Sequence, residues 1–381
     1  MNKNLMIIAG EASGDLHGAS LINELKSIDA GINIFGIGGD KMISAGMIAQ
    51  FHINEMAFLG FAEVVKHIPF IKKVQKSLLE KVAEEKIKTV VLIDYPGFNL
   101  SIAKKLKKTG VKLIYYISPQ IWAWGKKRIT KIKSLIDKMI VVFPFEEVMY
   151  NEAGVDVCYT GHPLLERIAE YDFLSKAELI DKFKLDPDKE LLLLMPGSRK
   201  QEIEKIFPDC IKAASLICGK FNMQTVIACS ENIEENIFDE FTGVYKFTIA
   251  KGYTYDFLKH SKFGIIKSGT STLETALFQL PFIVVYSTST ITYWIGRMLI
   301  KLKNIALVNI VAQENIIDEL IQKDVNPQNI YNHAERILNN EKIYSDMKIK
   351  LGEIKNKLGE PGASKKTAQI VIDFLNDTKR D

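Results

Sequence analysis

The chain has 381 residues, 47% hydrophobic and 25% charged, a composition that sets aside disordered, collagen-like and disulfide-framework classes. At roughly 100 to 200 residues per domain, that length predicts two domains, each with its own core. Fifty Lys and Arg against 46 Asp and Glu leave +4, too even a balance for bulk electrostatic binding, so no nucleic-acid partner is expected.

The first apolar run, Leu5–Ala9, stops at Gly10 and Glu11, which predicts a strand rather than a secretory leader. Further β-rich runs follow at Val90–Ile93, Leu113–Ile117 and Met139–Phe143, and a second series at Leu191–Met195, Thr225–Ala228, Phe263–Ile266 and Phe282–Tyr286, with helical patterns between them. Unbroken apolar strands alternating with helices predict parallel sheets covered on both faces, hence two doubly wound α/β domains facing each other across a cleft. The charged stretch Glu166–Glu190, with Asp186-Pro187-Asp188, separates the series and divides the chain into domains 1–170 and 171–360. Residues 361–381 follow with a helical pattern (Ala363, Ala368, Ile370, Val371, Phe374) that suits packing back on either domain, the N-terminal one included.

No membrane span is predicted, because the best candidate, Trp294–Ala312, is broken by Arg297, Lys301 and Lys303. Cys158, Cys210, Cys218 and Cys229 have no C-x-x-C spacing and read as reduced structural thiols, which points to the cytoplasm. The six histidines are scattered without an H-x-x-x-H pair, so neither metal nor cofactor is expected.

In doubly wound sheets ligands bind beyond the carboxyl ends of the strands, so the loops there are the candidates. Gly10-Glu11-Ala12-Ser13-Gly14-Asp15 opens a helix whose first amides suit an anion, although a plain tight turn explains its glycines equally well. Gly36-Ile37-Gly38-Gly39 has two thirds of a dinucleotide fingerprint, but Lys41 stands where the third glycine belongs, which argues against a dehydrogenase. Asp94 closes the strand VVLID and is either a general base for a hydroxyl at the sheet mouth or a turn residue capping its own backbone. Ser118-Pro119-Gln120-Ile121-Trp122-Ala123-Trp124 puts indoles at a strand end, for stacking on a sugar or acyl chain or for core packing.

In the second half, Gly197-Ser198-Arg199 follows LLLLM, and the S-x-x-Q spacing from Ser198 predicts a capping box with Arg199 in the first helical turn. Arginine is unfavourable at that end of a helix, so an anion such as a diphosphate is the functional reading. Ser268-Gly269-Thr270-Ser271 has the form of a phosphate cradle. Glu274 is either the acid of a second capping box or the acceptor of both hydroxyls of a ribose. Asn309 is a polar residue in an apolar stretch, a core amide or a ligand contact. Two basic amphipathic segments, Phe58–Val82 (with Phe70 and Ile71) and Tyr293–Leu302, have the pattern of helices that lie in a bilayer interface, and equally that of surface helices packed on a core. A third basic cluster, Lys126, Lys127, Arg128, Lys131 and Lys133, reads as a solvated face or an anion-facing one.

Taken together, IIAGEASGDLHG, GIGGDKM, LIDYPGFN, YISPQIWAWGKKRI, FPFE, GHPLL, LMPGSR, KSGTSTLE, ALVNIVA and GASKKTAQIV resemble, along almost the whole chain, the lipid-A-disaccharide synthase family of GT-B glycosyltransferases. AGEASGD and SPQIWAW are the motifs most specific to it. The resemblance implies two Rossmann-like domains and an inverting transfer from UDP-2,3-diacylglucosamine to 2,3-diacylglucosamine 1-phosphate (lipid X). The products would be a β(1→6) disaccharide 1-phosphate and UDP. It implies Asp94 as the base and Glu11 as its helper. Arg199, Glu274 and Asn309 would bind donor, with Gly197, Ser198, Ser268, Gly269 and Thr270 around them. Ser13, Gly14, Trp122, Phe70 and Ile71 would lie on the acceptor and lipid side. A peripheral contact with the cytoplasmic face of the inner membrane follows from acylated substrates, and a homodimer is left open. A UDP-N-acetylglucosamine 2-epimerase on the same fold and a non-catalytic nucleotide-sugar-binding or lipid-binding protein are the alternatives. The chain departs from the familiar pattern mainly in being richer in Lys and Ile, which bears on acyl-chain preference more than on reaction type.

Overall fold

The computed structural model describes residues 3–56, 67–119, 121, 127–231, 233–288 and 304–377. The chain divides into two compact units, one made of Met1–Glu166 with Glu360–Asp381 and the other of Arg167–Gly359.

The first unit holds β1 (Asn4–Ala9), β2 (Asn33–Gly38), β3 (Ile48–His52), β4 (Thr89–Ile93), β5 (Lys112–Tyr116), β6 (Lys138–Val141) and β7 (Val157–Tyr159) in one parallel sheet of order 3-2-1-4-5-6-7. Every residue of Thr89–Ile93 is buried, as expected for a strand covered on both faces. Helix 68–84 buries Val74, Gln75, Leu78 and Val82 and leaves Lys72, Lys73 and Lys76 exposed, so its apolar stripe faces the core. Helix 363–377 packs against helix 12–28 and β5 of this unit, with Ala363, Ala368 and Val371 fully buried. At its start Ser364 donates to the Glu166 carboxylate through both its amide and its hydroxyl.

The second unit holds β8 (Glu190–Met195), β9 (Met223–Cys229), β10 (Phe247–Lys251), β11 (Phe263–Lys267), β12 (Phe282–Tyr286) and β13 (Glu319–Ile321), parallel throughout in the order 10-9-8-11-12-13. All four cysteines are free thiols, and burial pushes each up from its ordinary value. No helix among the described residues is long and apolar enough to cross a membrane.

Both strand orders reverse once. The reversal lies between β1 and β4 in the first unit and between β8 and β11 in the second, and such switch points leave a crevice at the carboxyl ends of the strands. The loops that end there are 10–15 and 94–99, then 196–199 and 268–271. These are the segments the motifs single out.

Candidate active site

Each unit carries a candidate site at its own switch point. In the first, β4 ends in a turn with two consecutive left-handed residues, Asp94 (φ 44°) and Tyr95 (φ 47°), a conformation that L-residues adopt only under constraint. The constraint is visible. The Asp94 carbonyl accepts from the Asn99 amide at 2.7 Å and from the Tyr115 hydroxyl at 2.5 Å, while Asn99 also donates to the Ile93 carbonyl at 3.1 Å. The Asp94 amide donates to Tyr116 O at 3.1 Å, and the Tyr95 hydroxyl to Met56 O at 3.0 Å. Gly10 is where the neighbouring loop meets this turn: a Cβ there would stand 2.1 Å from the Tyr95 ring. Only glycine permits that approach.

Removed from water, the Asp94 carboxyl rises from 3.8 to about 6; the charge of exposed Glu11 adds to this, and a backbone hydrogen bond from Tyr95 opposes it. Such a group is ionised at neutral pH yet basic enough to take a hydroxyl proton. Ser13 is exposed beside Glu11, whereas Gly14 is buried against Ala9, which makes it a packing glycine. Asp15 is spent elsewhere: its carboxylate accepts from the amides of Gly39 (2.6 Å), Met42 (3.0 Å) and Lys41 (3.2 Å), capping the short helix 40–44. The glycine-rich 36–39 stretch is thus tied to the 10–15 loop. Phe70 and Ile71 are half-buried against the core, Phe70 edge-on to Phe51 at 6.3 Å. Trp122, Lys126, residues 57–66 and the 293–302 segment lie outside the described residues.

The loops of the second unit depart from local expectation in three places. Helix 200–221 begins at Lys200 with Arg199 at its N-cap and no side-chain cap bond, so Ser198 forms no capping box and Arg199 precedes the first turn. The acid that suits this helix end is Glu202, which the motif reading missed: it accepts from the Ser198 amide at 3.3 Å and from Lys267 Nζ at 2.7 Å, with Arg199 Nη1 at 4.0 Å. Gly197 (φ 134°) leaves room for that carboxylate, since a Cβ would meet Glu202 Oε2 at 2.7 Å. Tyr286, at the end of β12, has its phenol pushed up by burial and by Glu202 and pulled back by Thr288 and Arg199, which places these groups in one corner. An acid in the first turn was the available signal.

The second capping box is also absent. Helix 271–277 has Thr270 at its N-cap without a side-chain bond, Ser271 Oγ donates to Lys267 O, and Glu274 turns instead to Arg167 and Tyr255. Ser268 is buried with its hydroxyl on Ile305 O, a Cβ on Gly269 (φ 157°) would meet only Lys267 Nζ, at 4.0 Å, and Thr270 is exposed. Asn309, 1% exposed, donates to Ile317 O and Glu319 and accepts from the amides of Ile316 and Ile317, each within 3.1 Å. Two donors and two acceptors are the full capacity of a carboxamide, so this side chain has nothing left for a ligand.

A family model described as Lipid-A-disaccharide synthetase matches residues 5–374. The chain belongs to this family. Among its relatives, the lipid-A-disaccharide synthase of Geobacter metallireducens is 37% identical over 377 residues, covering 98% of each chain. In fold it resembles the UDP-GlcNAc 2-epimerase of Neisseria meningitidis (TM-score 0.69, 12% identity, 97% of this chain and 100% of that one) and the calicheamicin glycosyltransferase CalG4 (TM-score 0.60, 13%, 98% of each). At those identities the likeness establishes the two-domain GT-B architecture alone, while the family match favours the lipid-A-disaccharide synthases over the epimerases. The chain is accordingly a glycosyltransferase of lipid A biosynthesis, with sugar-lipid substrates.

Proposed function

We propose that the chain transfers the diacylglucosamine of UDP-2,3-diacylglucosamine to the 6-hydroxyl of lipid X by a single inverting displacement, with Asp94 as the base. The observation that carries this is Asp94: Asn99 and Tyr115 pin its backbone carbonyl at the switch point of the first unit, and its half-buried carboxyl is lifted to about 6. It takes the hydroxyl proton as the oxygen attacks the anomeric carbon. The bond from that carbon to the diphosphate breaks, and UDP leaves with its electron pair. Arg199, Lys267 and the amides of Gly269 and Thr270 are the groups that would offset the charge on the leaving diphosphate. Glu274 would hold the ribose, Glu11 would orient the acceptor and raise Asp94, and Asn309 would serve indirectly by fixing the turn at 316–317. Acylated substrates place the enzyme on a membrane surface, with the exposed lysines of helix 68–84 suited to anionic headgroups.

The test is an incubation with both substrates in mixed micelles containing a chelator, following UDP and disaccharide by mass spectrometry. Acceptor-dependent formation of both products is expected. Asp94→Asn should lower turnover by about 10² to 10⁴-fold while UDP affinity is retained. If wild type binds UDP but forms no disaccharide even after metal is restored, a non-catalytic nucleotide-sugar-binding role takes the place of the transferase.

A further inference from the structure

Two residues from separate parts of the second unit meet at Glu274. Arg167 lies on helix 164–169, Tyr255 on helix 254–260, and Glu274 on helix 271–277. The guanidinium donates to the Tyr255 hydroxyl, and that hydroxyl donates to Glu274 Oε1 at 3.2 Å; Arg167 Nη2 also reaches Oε1 directly, at 3.4 Å. Both donors land on one oxygen. A carboxylate oxygen has two acceptor positions, so Oε1 is filled, while among the described residues Oε2 carries no hydrogen bond. This half-buried acceptor would otherwise be available to cap its own helix.

The phenol that aims it is itself fixed. Tyr255 is 7% exposed, with Tyr171 edge-on at 5.2 Å, Phe278 at 5.7 Å, and the Arg167 guanidinium 5.3 Å from the ring centre. Tyr171 is tied in turn to Asp256, which is fully buried and also accepts from the Leu174 amide at 2.8 Å. An O–H that accepts from a cation and donates to an anion is polarised both ways, which strengthens its grip on the carboxylate.

We infer that Tyr255, with Arg167 behind it, is a positioning residue that turns Glu274 Oε2 towards the hydroxyl pair of the donor ribose and so sets a preference for a ribonucleoside diphosphate. The inference rests on Glu274 as the ribose acceptor. Its local signature is the capping box that Glu274 forgoes: the carboxylate leaves its own helix end for two groups distant in sequence.

The test is calorimetric binding of UDP, 2′-deoxy-UDP and 3′-deoxy-UDP to the full chain and to its Glu274→Gln, Tyr255→Phe and Arg167→Gln variants. Wild type should prefer UDP by about tenfold or more over each deoxy analogue, as expected for hydroxyls on a charged acceptor. Tyr255→Phe should lose most of that preference through weaker UDP binding alone, with deoxy-analogue affinity unchanged, a raised KM for donor and kcat close to wild type. If wild type shows no preference, or Glu274→Gln keeps it, the ribose reading itself fails. If Glu274→Gln abolishes the preference and Tyr255→Phe keeps it, the positioning role is overturned. Should Tyr255→Phe fold poorly, Arg167→Gln decides, since that side chain is 27% exposed: an intact preference there overturns the inference, and a reduced one supports it.

Discussion

Asp94 carries opposite consequences for rate and for stability. Its carboxyl is raised from 3.8 to about 6, so it is ionised only above that value, and the proposed role as base predicts that kcat/KM rises with pH through about 6 to a plateau. The folded chain holds this proton more tightly than the unfolded one. The stability it contributes is therefore fully present below about 4 and is lost as pH climbs through 6. Glu11→Gln removes one of the two causes of the rise and should move the acid limb of the pH–rate profile to lower pH; an unmoved limb would mean that burial alone sets it. Gly10→Ala tests the turn from its other side. The added Cβ would stand 2.1 Å from the Tyr95 ring, which is bonded to Met56 O and cannot withdraw freely, so a loss of about 1–3 kcal/mol is expected in denaturant unfolding.

Among the elements, strands were legible in proportion to how deeply they are buried. Unbroken apolar runs such as Thr89–Ile93 and Glu190–Met195 stand out because both faces are covered. Ile48–His52 and Glu319–Ile321, at the edges of their sheets, were missed: an edge strand has one neighbour and little apolar demand, and its sequence resembles a loop. Asn33–Gly38 was missed because its glycines looked like a ligand loop. They allow close packing instead, since a Cβ on Gly36 would meet Ile7 O at 1.9 Å. Helix starts misled for a related reason. The Ser198–Gln201 and Ser271–Glu274 spacings satisfy the local capping rule, yet the N-caps fall at Arg199 and Thr270, the Ser198 amide goes to Glu202, and Glu274 bonds Tyr255 from another element. Asn309 shows the same effect. Asn309→Ala would strand the Ile316 and Ile317 amides and should lower stability by about 3 kcal/mol. A fall in Tm should accompany any loss of UDP affinity, whereas lost affinity at unchanged Tm would mean that the side chain touches the nucleotide.

For the whole molecule, the last helix belongs to the first unit although it follows the second in sequence. It covers Tyr116, and its Ser364 holds Glu166, the residue just before the chain enters the second unit at Arg167. Deleting residues 360–381 should therefore destabilise the first unit, abolish transfer and leave UDP binding in place, as read by hydrogen exchange together with calorimetry. A deletion variant that keeps full transfer would exclude this helix from the working fold. By itself the sequence determined the two parallel-sheet units, the loops at their strand ends and the family, because apolar runs and glycine-bearing loops are local in the chain. Only the tertiary structure decided which polar side chains are spent on the fold. Asp15, Glu202 and Asn309 find partners inside their units, while the Asp94 carboxyl is raised by burial and by Glu11, and Glu274 is bonded by Arg167 and Tyr255 from elsewhere in the chain. Charge and hydrogen-bond capacity depend on distance in space, which spacing along the chain does not encode.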